Sequence, residues 1–298
     1  MIELMQPTLI REDMHYWLLT PAPKLQPWVA CYFVVRPSPG SPQGTNKPEL
    51  FLPDGMSELV FAMRAGFERW KVGDSSGPAV MRESYVIGGR AHSVMTQSAV
   101  PNEVIGVKLH SRLLSSLIRT PLSTFRDVAM SLRDLGNLPL LQLQDELAGL
   151  RDVEAITRAL DRFFANAIRN LHPDALVDAF TREVQTARGS LSVLRWIDER
   201  GVNARTFERK FCDAMGMVPK QYARVMRFRD AYRDLISDRG AHGARYLDTY
   251  YDQSHFHRDF KYFTGVSPTI KSRGLFQQET SISDQLLQHT PGATTASP

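Results

Sequence analysis

At 298 residues, with 43% apolar and 23% charged side chains, the chain has the composition of a globular protein long enough for two cores. The longest apolar run near the N-terminus, 28–35, is far too short to cross a bilayer and no signal peptide precedes it, so a cytoplasmic protein without a membrane partner is expected. The net charge of +4 is unevenly spread: 190–274 holds 16 Lys and Arg against 10 Asp and Glu, a balance of +6 that leaves the rest of the chain at −2 and points to an anionic partner for that end.

Cys31 and Cys212 fall in a strand-like and a helix-like stretch and make no metal-ligand spacing with each other or with histidine, so two buried thiols and no metal are expected. Catalysis finds little footing. An enzyme would have to use Cys31 as nucleophile with Asp54, Glu58 and His92 as acids or bases, yet the chain holds no nucleophile elbow, phosphate-binding glycine loop or HExxH motif. A non-enzymatic role without a cofactor is the expectation.

In chain order, 1–110 alternates short apolar runs with turn residues at close intervals, the pattern of strands. Strands are predicted at 16–19, 29–35, 58–63, 85–88 and 104–109, which would make a small β-barrel or sandwich. The Pro-, Gly- and Ser-rich stretch 36–48 reads as a mobile loop, as does 73–78. A regulatory ligand would sit in the barrel interior. Trp28, Tyr32, Trp70, Arg90 and His92 are its candidate lining residues, with ordinary core or surface roles as the competing reading, and the ligand itself is unknown.

From 111 the period becomes helical. Residues 112–119 read as a short helix, 140–150 and 153–168 as an amphipathic pair suited to the barrel or to a second subunit, and 174–187 as the first helix of a further domain. A short helix at 193–200 turns Val193, Trp196 and Ile197 inward. A long one at 220–236, about 25 Å from end to end, carries Arg224, Arg227, Arg229 and Arg233. After Leu275 the tail, rich in Gln, Ser and Thr, reads as disordered.

Two stretches share one plan. In 252–268, Asp252 can cap a helix, Phe256, Phe260 and Phe263 form an apolar stripe, Gln253, Ser254, His257, Arg258 and Lys261 occupy the other faces, and Gly265 and Pro268 stop it. About 50 residues earlier, Asn203 caps, Phe207 and Phe211 face inward, Arg205, Glu208, Arg209 and Lys210 stay outside, and Gly216 and Pro219 close the helix. Such a duplication is an internal repeat.

Residues 173–274 resemble the DNA-binding domain of the AraC/XylS family of bacterial transcription regulators, whose second unit bears a signature matched here by Asp252, Gln253, Ser254, His255, Phe256, Arg258, Phe260, Lys261, Gly265, Ser267 and Pro268. Leu52, Pro53, Asp54, Gly55, then Ser57 to Phe61, Ile87, Gly88, Gly89, Arg90 and Gly106 to Leu109 resemble the N-terminal domain of a poorly characterised subgroup of the same regulators. The resemblance implies an α+β chain: a β-barrel or sandwich with flanking helices, then an all-α domain of two helix-turn-helix units joined by a long helix. It divides the chain into a regulatory domain at 1–110, a helical linker with dimerisation helices at 111–170, the DNA-binding domain at 171–274 and a disordered tail at 275–298.

The same resemblance implies a sequence-specific regulator whose partner is double-stranded DNA, with a small molecule or a partner acting on the N-terminal domain, a homodimer, and RNA polymerase if it activates. Carried over by position, Arg205, Glu208 and Arg209 in the first unit and Gln253, Ser254, His257 and Arg258 in the second are the base-reading candidates. Arginine suits guanine, Gln253 adenine and Glu208 cytosine, unless Glu208 pairs with Arg205. Lys210, Arg224, Arg227, Arg229 and Lys261 are assigned to phosphates. The chain departs from the family where the second unit's supporting helix usually ends in Ala-x-x-x-Gly-Phe. Arg245, Thr249 and Tyr250 stand there instead, placing a long cation at a tight contact and a β-branched residue at a left-handed turn. That departure motivates the alternative: a partner-dependent interaction protein whose second unit no longer reads DNA.

Overall fold

The computed structural model describes residues 8–11, 14–37, 48–64, 66–74, 77–98, 102–126, 128–172, 174–237 and 248–268. Within them the strands are β1 (Thr8–Arg11), β2 (Met14–Leu19), β3 (Val29–Pro37), β4 (Glu49–Phe51), β5 (Ser57–Arg64), β6 (Phe67–Lys71), β7 (Ala79–Met81), β8 (Tyr85–Ile87), β9 (Val94–Gln97), β10 (Glu103–Leu109) and β11 (Ala129–Ser131). They form two antiparallel sheets, one ordered β1-β2-β3-β10-β5-β8-β11 and one ordered β4-β9-β6-β7. Both sheets are open, so the sandwich alternative holds over a closed barrel.

Strand alternation gives the large sheet two apolar faces. Cys31, Phe33 and Val35 of β3, Val60 of β5 and Val104 of β10 turn one way and meet Phe51, Phe67 and Met81 of the small sheet. Tyr32, Val34, Leu59, Phe61, Ile105 and Val107 turn the other way, onto the helices α1 (Ser111–Ile118), α3 (Leu138–Ala148) and α4 (Val153–Ala167), with the single-turn α2 (Leu132–Leu135) between. Gly106 leaves room on β10 for the Phe33 ring lying across it. A carboxylate pins the helical cover down: Asp161 of α4 accepts from the Tyr32 hydroxyl at 2.9 Å and the Ala22 amide at 3.1 Å. His110 caps α1 by accepting the Arg112 amide through Nδ1 at 3.3 Å, which needs a neutral ring. Burial, with help from Arg112, pushes its pKa down to about 4.

The stretch 111–170, expected to be a helical linker, is interrupted where 129–131 returns to the large sheet and pairs with β8 as an edge strand. β3 runs through Pro37, two residues into the loop predicted at 36–48, of which 38–47 lies outside the described residues, as do 75–76 of the second predicted loop and the whole tail.

The C-terminal half is helical: α5 (Ala175–Thr186), α6 (Val193–Glu199), α7 (Ala204–Met215), α8 (Pro219–Ser237) and α9 (Gln253–Thr264). Phe180 of α5 is the hub of the first unit, with the rings of Trp196, Phe207 and Phe211 centred 5.0, 5.2 and 5.1 Å away in edge-on contacts. Phe228 of α8 does the same for α9, meeting Phe263 at 4.4 Å and Phe260 at 6.2 Å. The helix α8 runs between them over 19 residues, about 28 Å. The supporting helix expected before α9, with Arg245, falls at 238–247, outside the described residues.

Candidate nucleic-acid interface

The two repeated stretches form α7 and α9 with matching ends. Asn203 accepts the Thr206 amide at 3.0 Å, and Asp252 accepts the His255 amide at 2.6 Å, each satisfying a free donor of the first turn. Gly216 and Gly265 close the helices in the left-handed conformation, at φ +74° and +78°. Between these ends Phe207 and Phe211, and Phe256, Phe260 and Phe263, are buried.

Both helices are seated in the same way. The C-terminal end of α7 meets the β domain: Asp213 accepts from Ser123, Arg126 Nη2 lies 2.6 Å from Cys212 Sγ, and Gly89 comes so close that an added Cβ would sit 2.4 Å from the Met215 carbonyl oxygen. The C-terminal end of α9 meets it again, where Ser93 donates to the Phe263 carbonyl and Tyr262 shares a 3.0 Å hydrogen bond with His92. Between them Gly55 lies against Tyr222 and Met226 of α8, and Leu52 and Ala91 belong to the helical core. Arg112 of α1 adds a tie by donating to Asp178 of α5 and to the His172 carbonyl. The motif loops at 52–55 and 88–93 thus touch both units and the connector at once. Their residues were legible as a motif, but their place against the helices was not.

The N-terminal halves of both helices face away from this contact. Arg205, Glu208 and Arg209 are exposed on α7, as are Gln253, Ser254 and Arg258 on α9, while His257 is half-buried. Among the described residues no ion pair joins Arg205 to Glu208, so that expected pairing is not formed. Lys210 is exposed and pairs with Asp174 at 3.1 Å, and Lys261 is exposed.

The connector arginines need correction. Arg229 is 1% exposed and donates to Asp230 at 2.9 Å, so it cannot reach a phosphate. Arg224 and Arg227 turn toward α9, where Arg224 Nε meets Asp259 Oδ1 at 2.9 Å and Arg227 Nη2 meets Oδ2 at 3.3 Å. The strain expected at Thr249 is also absent: among the described residues only Arg119 and Arg188 have positive φ without being glycine. Tyr250 is buried, its ring 5.4 Å from Phe256 and 5.1 Å from His255 and its hydroxyl donating to Asp259 at 3.2 Å.

The candidate ligand-lining residues do not converge. Trp28 meets His110 and Tyr32 meets Asp161 on the helix-covered side of the large sheet. Arg90 lies on the other side and His92 at the α9 contact, while Trp70 belongs to the small sheet. Next to the apolar layer that the two sheets share stands a buried cluster of charges. Lys108 of β10 pairs with Asp54 and stands 3.8 Å from Glu58, whose Oε1 is 2.7 Å from Arg90. Burial alone would raise the Asp54 pKa, but Lys108 and Arg90, with hydrogen bonds from Lys108 and the Met56 amide, hold it below the usual value. Beside them burial pushes the Cys31 thiol up to about 12, leaving it no nucleophile at neutral pH.

Two family models match the chain: a domain of unknown function over residues 18–131 and a helix-turn-helix domain over residues 196–272. No curated protein matches. Among solved structures, an apo point variant of ToxT from Vibrio cholerae strain SCE256 is 11% identical, with a TM-score of 0.46 over 83% of this chain and 97% of that one. ToxT from Vibrio cholerae O395 bound to (E)-4-(8-methylnaphthalen-1-yl)but-3-enoic acid is 10% identical, with a TM-score of 0.42 over 83% and 96%. KdgF from Halomonas sp. is 9% identical, with a TM-score of 0.26 over 35% and 87%. No described helix is long and apolar enough to cross a membrane. With a helix-turn-helix domain built on two like-capped helices and carrying the signature at 252–268, the C-terminal part of the chain holds the AraC-type helix-turn-helix unit of a DNA-binding transcription regulator.

Proposed function

We propose that the protein is a bipartite, sequence-specific reader of DNA, with α7 and α9 entering successive major grooves and the β domain controlling them. One observation carries this reading: both helices seat their C-terminal ends on the β domain and leave their N-terminal halves exposed, and a helix in the major groove reads base edges from its N-terminal half. Arg205, Glu208 and Arg209 serve the first groove; Gln253, Ser254, Arg258 and, at shallower reach, His257 serve the second. Lys210 and Lys261 meet phosphates.

A small molecule or a partner acting on the β domain would reach both units through the loops at 52–55 and 88–93. The protein works in the cytoplasm, where its DNA is, as a homodimer and, if it activates, against RNA polymerase. The domain division of 1–110, 111–170, 171–274 and 275–298 is kept as part of this proposal. The interaction-protein alternative, motivated by Arg245 and Thr249, is disfavoured at the second of them, since Thr249 has no positive φ and Tyr250 beside it is buried, while Arg245 lies outside the described residues.

The test is binding of the full chain to its own upstream DNA at physiological salt. Arg209→Ala and Arg258→Ala are each expected to cost about 1–3 kcal/mol and to relax base preference at one position. If Arg258→Ala leaves affinity and preference unchanged while Arg209→Ala does not, the second helix does not read DNA and the alternative takes over.

A further inference from the structure

Building on the proposed bipartite reading, we propose that Asp259 is a positioning residue of the second reader: a buried carboxylate on the back of α9, gripped from α8, that sets the angle at which Gln253, Ser254 and Arg258 meet the groove. Asp259 is 3% exposed and lies between the exposed Arg258 and the buried Phe260. An ionised carboxylate on the packed side of a helix persists only when its lone pairs are taken up. Here they are taken up from three sides, by Arg224 Nε on Oδ1 at 2.9 Å, Arg227 Nη2 on Oδ2 at 3.3 Å and the Tyr250 hydroxyl on Oδ2 at 3.2 Å. Arg224 and Arg227 are three residues apart and so share one face of α8. Arg227 also reaches His255 Nε2 at 3.3 Å, one turn before Asp259 on α9.

The aromatic stripe of α9 presses the helix onto α8, but apolar contact is non-directional and tolerates rotation. Charge-assisted hydrogen bonds are directional. Successive side chains on a helix are about 100° apart, so fixing Asp259 fixes the direction of Arg258 beside it. The grip also extends to the β domain. The Arg224 guanidinium lies 4.0 Å from the centre of the Tyr262 ring, and the Tyr262 hydroxyl bonds His92. Arg224 and Arg227, which sequence alone assigns to phosphates, thus act on DNA through α9.

The experiment is a double-mutant cycle on the full chain, with affinity for the upstream DNA and groove-by-groove chemical protection as readouts. D259N is expected to lower affinity roughly 5- to 150-fold and to lose protection in the groove read by α9 while keeping it in the groove read by α7. R258A is expected to weaken the wild type but to add nothing in the D259N background, since the arginine there is already misdirected. D259E, which keeps the charge, is expected to restore part of the protection. R224Q, which leaves Arg227 and Tyr250 on the carboxylate, is expected to give a smaller loss in the same groove and covers the case of a D259N chain that fails to fold. Full protection of both grooves by D259N, or an R258A penalty equal in both backgrounds, would overturn the proposal. A wild type that protects neither groove would instead overturn the bipartite reading beneath it.

Discussion

Lys108→Met is expected to lower the unfolding free energy by about 3–5 kcal/mol, the usual cost of stripping one partner from a buried ion pair. Lys108 is 1% exposed on β10, its ammonium bound to Asp54 and 3.8 Å from Glu58. Removing it leaves two buried carboxylates with Arg90 as the nearby cation. Asp54 also accepts the Met56 amide at 3.0 Å, so the loss would loosen the 52–55 loop that touches α8. The pH dependence has a definite sign. In the wild type the Asp54 pKa is lowered, so its contribution is complete above the unfolded value of about 3.9 and is lost as pH falls below it. Without Lys108, burial raises that pKa, and the variant loses stability as pH rises through it. The gap between the two proteins therefore narrows toward pH 4. Asp54→Asn combined with Lys108→Met should recover most of the loss, because Asn keeps the acceptor for Met56 and carries no charge. Urea unfolding of the wild type, the single variant and the double variant at pH 7 and pH 4 measures all of this. A single variant as stable as the wild type at pH 7 would mean that the cluster is not held as a buried ionic unit.

Gly189→Ala is expected to cost about 2–5 kcal/mol, through two effects at one atom. Gly189 holds φ +76° in the turn between α5 and α6, with its amide bonded to the Val184 carbonyl at 2.8 Å. An added Cβ would lie 2.3 Å from the Arg227 nitrogen and 2.4 Å from the Ala223 oxygen, both backbone atoms of α8 that no side-chain rotation can move away. Gly201 supplies the control, since it holds φ +60° with nothing within 4 Å of its added Cβ. Gly201→Ala should carry only the backbone penalty, about 1–2 kcal/mol. Chemical denaturation of the two variants side by side separates the terms, and equal losses would show that the approach to α8 is not tight. Because the clash falls on Arg227, Gly189→Ala is also expected to weaken binding in the α9 groove.

The reading helices were legible because their signals are local. Asn203 and Asp252 as caps, the phenylalanines spaced three and four apart, and Gly216 and Gly265 as stops all lie within single stretches. The strands predicted at 16–19, 29–35, 58–63, 85–88 and 104–109 became β2, β3, β5, β8 and β10 because each carries a run of apolar residues. The small sheet and β11 escaped notice because β4, β7 and β11 are three residues long and half-buried or exposed, with no alternation to read. The buried charges needed the register of the sheet: Lys108 stands opposite Glu58 on one side and Cys31 on the other, and nothing in the local sequence announces either pairing. A partial signal existed, since Lys108 interrupts a strand that is apolar on both faces. Arg229 offered a similar one, lying four residues after Val225 on the buried side of α8. Arginines on helices are usually solvated, so the sequence alone points Arg224 and Arg227 at phosphates, and only the approach of α9 gives them Asp259 instead.

Chemical protection of the upstream DNA by the full chain is the most direct test of a bipartite reader. Two protected major-groove segments are expected on one face of the duplex, centred about one helical turn apart, with Arg209→Ala exposing one and Arg258→Ala the other. A single protected segment, or two that respond alike to both substitutions, would contradict it.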